Sequence, residues 1–247
     1  MRILVVNPNT SPSMSAAIAT ECRGAARAST TVDVLNPRRG PRSIESYTED
    51  CLASAATVEL VMEHRDAYDG YVVACFDDPA VRALRELVRG PVIGIAEAAA
   101  HMASLVAAKF SVVTVMRRSK PRLAESIERA GLAGRCGSVR AVDLSVLQIE
   151  EDLDATRAII AAEARRAMEE DDAEAICLGC AGLGPLDKSL QAELGIPVLD
   201  GCGCAVKLVE ACVEYGITTS KYLSYAAPPE KEYVDWPVFD TAGAGQH

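Results

Sequence analysis

The feature that most constrains this chain is a phrase it uses twice. In Asp69-Gly70-Tyr71-Val72-Val73-Ala74-Cys75-Phe76-Asp77-Asp78-Pro79, a short apolar run ends on a cysteine and is broken at once by polar residues. Ala173-Glu174-Ala175-Ile176-Cys177-Leu178-Gly179-Cys180-Ala181-Gly182-Leu183 repeats the pattern with small residues. A run of this length that is apolar on both faces reads as a buried parallel strand. After a helical stretch each leads to a strand opening on proline, Pro91-Val92-Ile93-Gly94-Ile95 and Pro197-Val198-Leu199-Asp200. Upstream, Arg2-Ile3-Leu4-Val5-Val6-Asn7 matches Phe110-Ser111-Val112-Val113-Thr114. Asn7 and Cys75 lie 68 positions apart, and Thr114 and Cys180 lie 66 apart. Second strands ending at Asn36 and Asp143 keep step, each 29 positions past its first-strand landmark. Landmarks held in register mean two copies of one βαβ-rich unit. The predicted fold is therefore α/β, with two pseudo-symmetric lobes, each a short, mostly parallel sheet flanked by helices, and the active site in the cleft between them. Ligands in open α/β sheets bind beyond the carboxyl ends of the strands, so each copy offers that cleft one thiol, Cys75 or Cys180.

The rest of the sequence narrows the partners. A chain of 247 residues can bury two real cores. Aromatic residues make up only 4% while alanine is abundant, which favours helices packed closely on a sheet over an aromatic-rich β-sandwich. A formal charge of −10 with no basic stripe argues against nucleic acid. Arg38-Arg39 and Arg117-Arg118 follow strand ends and read as solvated loop charges. No apolar run approaches a membrane span, so no membrane partner is expected. The amino terminus enters a strand directly, without a signal-peptide pattern. The expected location is cytoplasmic, where the nine irregularly spaced cysteines stay reduced.

Helices are expected from Met14 to Ala28, Glu49 to Tyr68, Pro79 to Arg89, Ala96 to Ala107, from the Pro121 loop to about Ala130, Glu151 to Glu170 and Ala205 to Tyr215. The last is expected to cross back, so that residues 1–98 plus about 205–247 form one lobe and 99–204 the other. The tail from about Ala227 shows no periodicity and reads as flexible. Thr10, Ser11 or Ser13 can cap the first helix, with Pro12 in its first turn. Asn9, at the first strand's end, is open to either capping or ligand binding. Pro37 to Ser46 is long for a strand-to-helix loop and reads as functional. Cys51 reads as a small core residue, His64 as a surface residue, Glu97 as a cleft candidate, and His101 as facing a neighbouring helix or subunit.

Several chemistries compete for the cysteines. Cys177-x-x-Cys180 with Cys202-x-Cys204 could suggest zinc, but Cys177 sits inside a strand and knuckle turns are missing, so no metal is expected. A thioredoxin-type pair would open a helix rather than close a strand. A cysteine–histidine hydrolase lacks a well-placed base, since His101 is the sole candidate among three histidines. No glycine-rich loop follows the first strand to cradle phosphate. Two thiols used as a pair fit best. A carbon acid beside a carbonyl can be epimerised when a thiolate removes the proton from one face and a thiol returns one to the other. Each cysteine is expected at a helix amino terminus, which would lower its pKa. The backbone N–H groups of Phe76, Asp77, Ala181 and Gly182 could hold an enolate oxygen, or a substrate carboxylate or imide.

Val5-Val6-Asn7-Pro8-Asn9-Thr10-Ser11, Gly40-Pro41-Arg42-Ser43-Ile44-Glu45, Ala74-Cys75-Phe76-Asp77-Asp78-Pro79, Gly94-Ile95-Ala96-Glu97-Ala98 and Leu178-Gly179-Cys180-Ala181-Gly182 resemble the aspartate/glutamate/hydantoin racemase superfamily. Within it the chain is most similar to hydantoin and allantoin racemases, from Arg2 to about Pro229. The resemblance implies a cofactor-independent racemase of 5-substituted hydantoins or a related cyclic ureide, with Cys75 and Cys180 as the two bases and no cofactor. It also implies a homo-oligomer, and a small-molecule pocket to which Asn9, Ser43, Ile44, Phe76, Asp77, Thr114, Ala181 and Gly182 contribute. Allantoin, an amino-acid substrate of the aspartate or glutamate kind, a decarboxylase and a maleate-type cis–trans isomerase remain alternatives on the same scaffold. The few basic residues in the pocket loops favour a neutral ring over a dicarboxylate.

Overall fold

The computed structural model describes residues 1–144, 152–234 and 236. Strands and helices alternate: β1 Arg2–Val6, α1 Pro12–Ala25, β2 Thr31–Leu35, α2 Tyr47–His64, β3 Gly70–Val73, α3 Val81–Leu87, β4 Val92–Gly94 and α4 Ile95–Val106. The second half repeats the series: β5 Phe110–Thr114, α5 Lys120–Arg129, β6 Cys136–Ala141, α6 Leu153–Asp171, β7 Ala175–Leu178, α7 Asp187–Leu194, β8 Val198–Leu199 and α8 Gly201–Tyr215. The first sheet runs β2-β1-β3-β4 and the second β6-β5-β7-β8. Every pairing is parallel. The duplication read from the strand spacing is thus a duplication of topology, and the fold is the expected two-sheet α/β architecture.

Burial follows from this layering, because a parallel sheet must be covered on both faces. Leu4, Val6, Tyr71 and Val73 point outward from the first sheet and pack with Val61 of α2 and Leu84 of α3. Val113, Ile176 and Leu178 do the same from the second sheet, with Ile160 of α6 and Leu190 of α7. The inward-facing residues, among them Ile3, Val5, Val72, Val112 and Cys177, share one core with α1, α4, α5 and α8. The two sheets are therefore joined by a continuous apolar centre. The last helix of each half lies on the other half's side: α8 packs on β3, β4, α1 and α4, while α4 packs on β7 and α5. Glu210 of α8 is fully buried and accepts the N–H of Arg27 at 2.8 Å and the hydroxyl of Thr30 at 2.6 Å. That ties the carboxyl-terminal helix to the α1–β2 turn.

Side-chain caps move several helix boundaries from their expected places. Ser46 accepts the N–H of Glu49, so α2 begins at Tyr47, and it ends at His64. Its buried face is Ala53, Ala56, Thr57 and Val61, which turns Cys51 out to solvent and corrects its assignment to the core. His64 is half-buried against the edge of Tyr68 rather than fully at the surface. Asp152 caps α6 through the N–H of Ala155 at 2.9 Å, so the helix begins at Leu153. Glu151, where that helix was expected to start, lies outside the described residues, as does most of the tail from 235 onward. Asp200 accepts the N–H groups of Cys202 and Gly203 at 3.1 and 2.6 Å and starts α8 at Gly201. Cys202 and Cys204 are therefore buried helical residues and not a strand-end pair.

Candidate active site

The two cysteines leave their sheets in the same way. Ala74 donates its N–H to Val6 at 2.8 Å and Gly179 donates its N–H to Val113 at 2.8 Å, which extends β3 and β7 by one step. Each following cysteine then opens a turn, with Asp78 N–H bonded to the Cys75 carbonyl at 2.9 Å and Leu183 N–H to the Cys180 carbonyl at 3.0 Å. Within each turn the backbone N–H two residues on, of Asp77 and of Gly182, favours the thiolate of Cys75 and of Cys180. Gly179 is required here: a methyl group in its place would press against Thr114 and Val112 at 2.8 Å. Thr114 donates its hydroxyl to the Gly179 carbonyl at 2.8 Å and fixes the approach to Cys180.

Both cysteines line one cavity of about 60 Å³. Asn9, Ile44, Phe76, Asp77, Thr114 and Ala181 also line it, so eight of the ten site residues read from the sequence converge. Ser43 and Gly182 do not form its wall. Ser43 donates its hydroxyl to Glu45 at 2.9 Å, and the Gly182 backbone lowers the Cys180 pKa from outside the wall. Asn9 is held by its side-chain oxygen, which accepts Asn7 Nδ2 at 3.0 Å and the Ser11 N–H at 2.8 Å, while Ser11 caps α1. The Asn9 and Ser11 side chains thus divide the work of ordering this strand end.

The electrostatics differ from the expected helix-dipole activation. Burial pushes the Cys75 thiol well above its ordinary 9.0, the Asp77 charge adds to this, and the Asp77 N–H opposes it. Burial likewise pushes Cys180 up to about 11, against the pull of the Gly182 N–H. The reason is geometric. After Cys75 the chain turns until Ala80, which has a left-handed φ of 61°, and α3 starts only at Val81. Cys180 precedes a 3-10 turn over Ala181–Leu186, with α7 beginning beyond it. Neither sulfur sits on the amino terminus of an α-helix, so the nearby backbone N–H of Asp77 or Gly182 is outweighed by desolvation.

Asp77 and Asp78 have separate duties. Asp77 forms an ion pair with Arg122 of α5 at 3.0 Å, and both side chains are buried. Burial raises Asp77 to about 6, Arg122 pulls it back, and Asp50 adds to the rise. Its backbone carbonyl accepts Ser126 Oγ at 2.9 Å and Arg129 at 3.0 Å, so the α5 helix of the second half clamps the Cys75 turn of the first. Asp78, at a left-handed φ of 53°, caps α4 by accepting the N–H groups of Ala96 and Glu97 at 2.9 and 2.8 Å. Glu97 turns back to the Gly94 N–H at 3.1 Å and pairs with Arg85 rather than facing the cavity. His101 is exposed, with Nδ1 at 2.7 Å from the Glu97 carbonyl, and it too stays outside the cavity.

Met14, Val115, Ser119, Arg122 and Leu123 also line the cavity without having been singled out from the sequence. A signal for Arg122 was present: it shares a helix face with Leu123, Ser126 and Ile127, the buried face of α5. Of the thiols considered for zinc, Cys180 lines the cavity, whereas Cys177, Cys202 and Cys204 are buried away from it. Among the described residues, no three His, Cys, Asp or Glu side chains converge as metal ligands. No helix among them is long and apolar enough to cross a membrane.

Two parallel sheets of the same strand order, each delivering one cysteine from an inner strand end to a shared cavity, define a duplicated α/β enzyme with a two-thiol pocket. The chain belongs to the aspartate/glutamate/hydantoin racemase family, whose model, described as Asp/Glu/Hydantoin racemase, matches residues 3–209. It is 41% identical over 235 residues to a hydantoin racemase of Pseudomonas sp. strain NS671, covering 95% of this chain and 94% of that protein. Among solved structures, it superposes on allantoin racemase from Pseudomonas fluorescens with a TM-score of 0.93 and 39% identity, covering 95% of this chain and 100% of the other. Allantoin racemase from Klebsiella pneumoniae gives a TM-score of 0.91 at 40% identity, covering 94% of this chain and 95% of that one. The chain is an isomerase of the racemase kind.

Proposed function

We propose that this racemase inverts the C5 centre of 5-substituted hydantoins without a cofactor, by proton transfer between Cys75 and Cys180. The observation that carries this reading is the equivalence of the two thiols. They line one cavity, each accepts at its carbonyl the N–H of the residue three positions on, and each leaves an inner strand of a sheet of the same order. One cysteine, as thiolate, takes the C5 proton, and the electron pair moves into the adjacent carbonyl to give an enolate. The other, as thiol, delivers its proton to the opposite face. Each turnover thus exchanges the protonation states of the two sulfurs, so the reverse reaction starts from the state in which the forward one ends. Because the Asp77 and Gly182 N–H groups face the sulfurs, those of Phe76 and Ala181 are assigned to the enolate oxygen.

A neutral ring is favoured over a dicarboxylate by the charge of the wall. Arg122 is the one cation lining the cavity among the described residues, and Asp77 already neutralises it. Allantoin, a hydantoin with a ureido substituent, is the alternative substrate, and the named relatives include racemases of both kinds. The test is to replace each cysteine in turn by serine. Cys75→Ser and Cys180→Ser should both stop racemisation of enantiopure 5-benzylhydantoin and of enantiopure allantoin, followed by optical rotation. Each variant should still exchange the C5 proton of one enantiomer for deuterium, with opposite enantiomers preferred by the two variants. Loss of all exchange in one variant with little change in the other would mean a single base, as a decarboxylase or cis–trans isomerase would use.

A further inference from the structure

The two thiols leave equivalent strands, but they are held in place differently. Cys180 is steadied from within its own half, where Thr114 of β5 donates to the Gly179 carbonyl. Asn7 stands at the matching place in the first half, and its side chain bonds Asn9, Ser11 and Ser15 instead. The turn that carries Cys75 is held from the other half. Ser126 of α5 donates its hydroxyl to the Asp77 carbonyl at 2.9 Å, and Arg129 reaches the same carbonyl at 3.0 Å and Ser126 Oγ at 2.6 Å. Arg122, one turn earlier, pairs with the Asp77 carboxylate. Residues spaced by four and then three positions share a helix face, so one stripe of α5 grips one residue.

This grip has no counterpart in α1. Arg122, Ser126 and Arg129 lie eight, twelve and fifteen residues past Thr114, and the same steps from Asn7 lead to Ser15, Ala19 and Cys22. An alanine side chain has no donor, and Ser15 Oγ is engaged by the Ser11 carbonyl and by Asn36. The α5 stripe is also firmly seated. Ser126 is only 3% exposed, and Leu123 and Ile127 of the same helix are buried in the core common to both halves. A buried carbonyl that loses its donors must find others, so without Ser126 and Arg129 the turn shifts. Only Phe76 separates Asp77 from Cys75, and the Asp78 N–H closes the turn on the Cys75 carbonyl at 2.9 Å. A shift at the Asp77 carbonyl is therefore carried to the Cys75 sulfur, while the Cys180 turn, tied to Thr114, stays where it is.

We propose that Ser126 and Arg129 are positioning residues for Cys75 alone, aiming its sulfur at one face of C5 from the opposite half of the molecule. This rests on the two-thiol reading, and the experiment tells the two apart. Exchange of the C5 proton of each enantiomer of 5-benzylhydantoin for deuterium is followed by NMR in two backgrounds. In Cys180→Ser the remaining base is Cys75, and in Cys75→Ser it is Cys180. Ser126→Ala/Arg129→Met should slow exchange at least about tenfold in the first background, since misplacing a reacting group by about 1 Å can cost about a hundredfold. In the second it should change less than about threefold, because Cys180 and the Ala181 N–H keep their places. Ser126→Ala alone should slow the first background selectively by at least about threefold, and that variant decides the matter if the double one does not fold. A merely structural role would slow both backgrounds alike. Equal slowing in both, or no slowing in the Cys180→Ser background, overturns the proposal. Absence of exchange in either single-cysteine variant with α5 intact sinks the two-thiol reading and the proposal with it, whereas exchange that is present in both and indifferent to α5 sinks only the positioning role.

Discussion

The link between the Cys75 turn and α4 gives the sharpest structural prediction. Asp78 is half-buried, holds the N–H groups of Ala96 and Glu97, and stands in the left-handed region at φ 53°. Burial, with the Glu97 charge beside it, raises its pKa to about 8, so at neutral pH it caps α4 largely as the protonated acid. Asp78→Ala removes two hydrogen bonds of about 0.5–1.5 kcal/mol each. Aspartate already stands in the left-handed region here, so alanine adds little backbone strain of its own. Relief of the desolvated acid offsets part of the sum, which leaves a loss of about 1–2 kcal/mol. For a chain of this size that lowers Tm by roughly 2–8 °C in a calorimetric scan. Since the folded-state pKa lies above the ordinary 3.8, the contribution of this group is greatest in acid and declines as pH rises towards 8. The gap between wild type and Asp78→Ala should therefore narrow over that window. Gly94 supplies the control, because a methyl group there would overlap the Asp78 carboxyl group. Its own backbone, at φ −83° and ψ 152°, suits alanine, so Gly94→Ala should cost stability in wild type and almost none in the Asp78→Ala background. Equal costs in both backgrounds would refute the steric argument, and an unchanged Tm in Asp78→Ala would refute the cap.

Three further outcomes test the surroundings of the site. With Cys180 held at about 11, its alkylation by iodoacetamide, read by peptide mapping to separate it from exposed Cys51, should rise about tenfold per pH unit from 7 to 10; a plateau below pH 9 would show a thiolate stabilised beyond its single N–H. Burial alone would raise Glu210, but Thr30, the Arg27 N–H and Lys207 outweigh it and hold the carboxylate below 4.5. Its contribution is therefore present above that value and lost as pH falls, and Glu210→Gln should cost about 1–3 kcal/mol at pH 7 in urea unfolding and flatten the acid limb. Racemisation should survive exhaustive dialysis against EDTA, since the two thiols supply both acid and base; loss restored only by added zinc would return the metal alternative.

Local patterns determined much of this protein before any long-range contact was known. Two spacings of matching length, between Asn7 and Cys75 and between Thr114 and Cys180, specify a duplicated βαβ unit, and parallel sheets of one strand order follow from right-handed crossovers. Strand ends then place Cys75, Cys180, Asn9 and Thr114 on one side of the sheets, because the carboxyl ends of parallel strands coincide. What needed the tertiary structure is whatever crosses between the halves or depends on which way a helix face turns. Cys51 was misassigned because α2 starts two residues early on its Ser46 cap and buries Ala53 and Val61 instead. Helix-dipole activation of the cysteines failed because a left-handed turn at Asp78 and Ala80 delays α3 after Cys75 and a 3-10 turn delays α7 after Cys180, matters of φ angles that composition does not reveal. Arg122 enters the cavity only because α5 packs its apolar face against the Cys75 turn of the other half, where burial in place of solvent turns a surface-type arginine into the partner of Asp77. Periodicity reports where a residue lies along an element; the environment that sets its charge and its partners exists only once two elements meet.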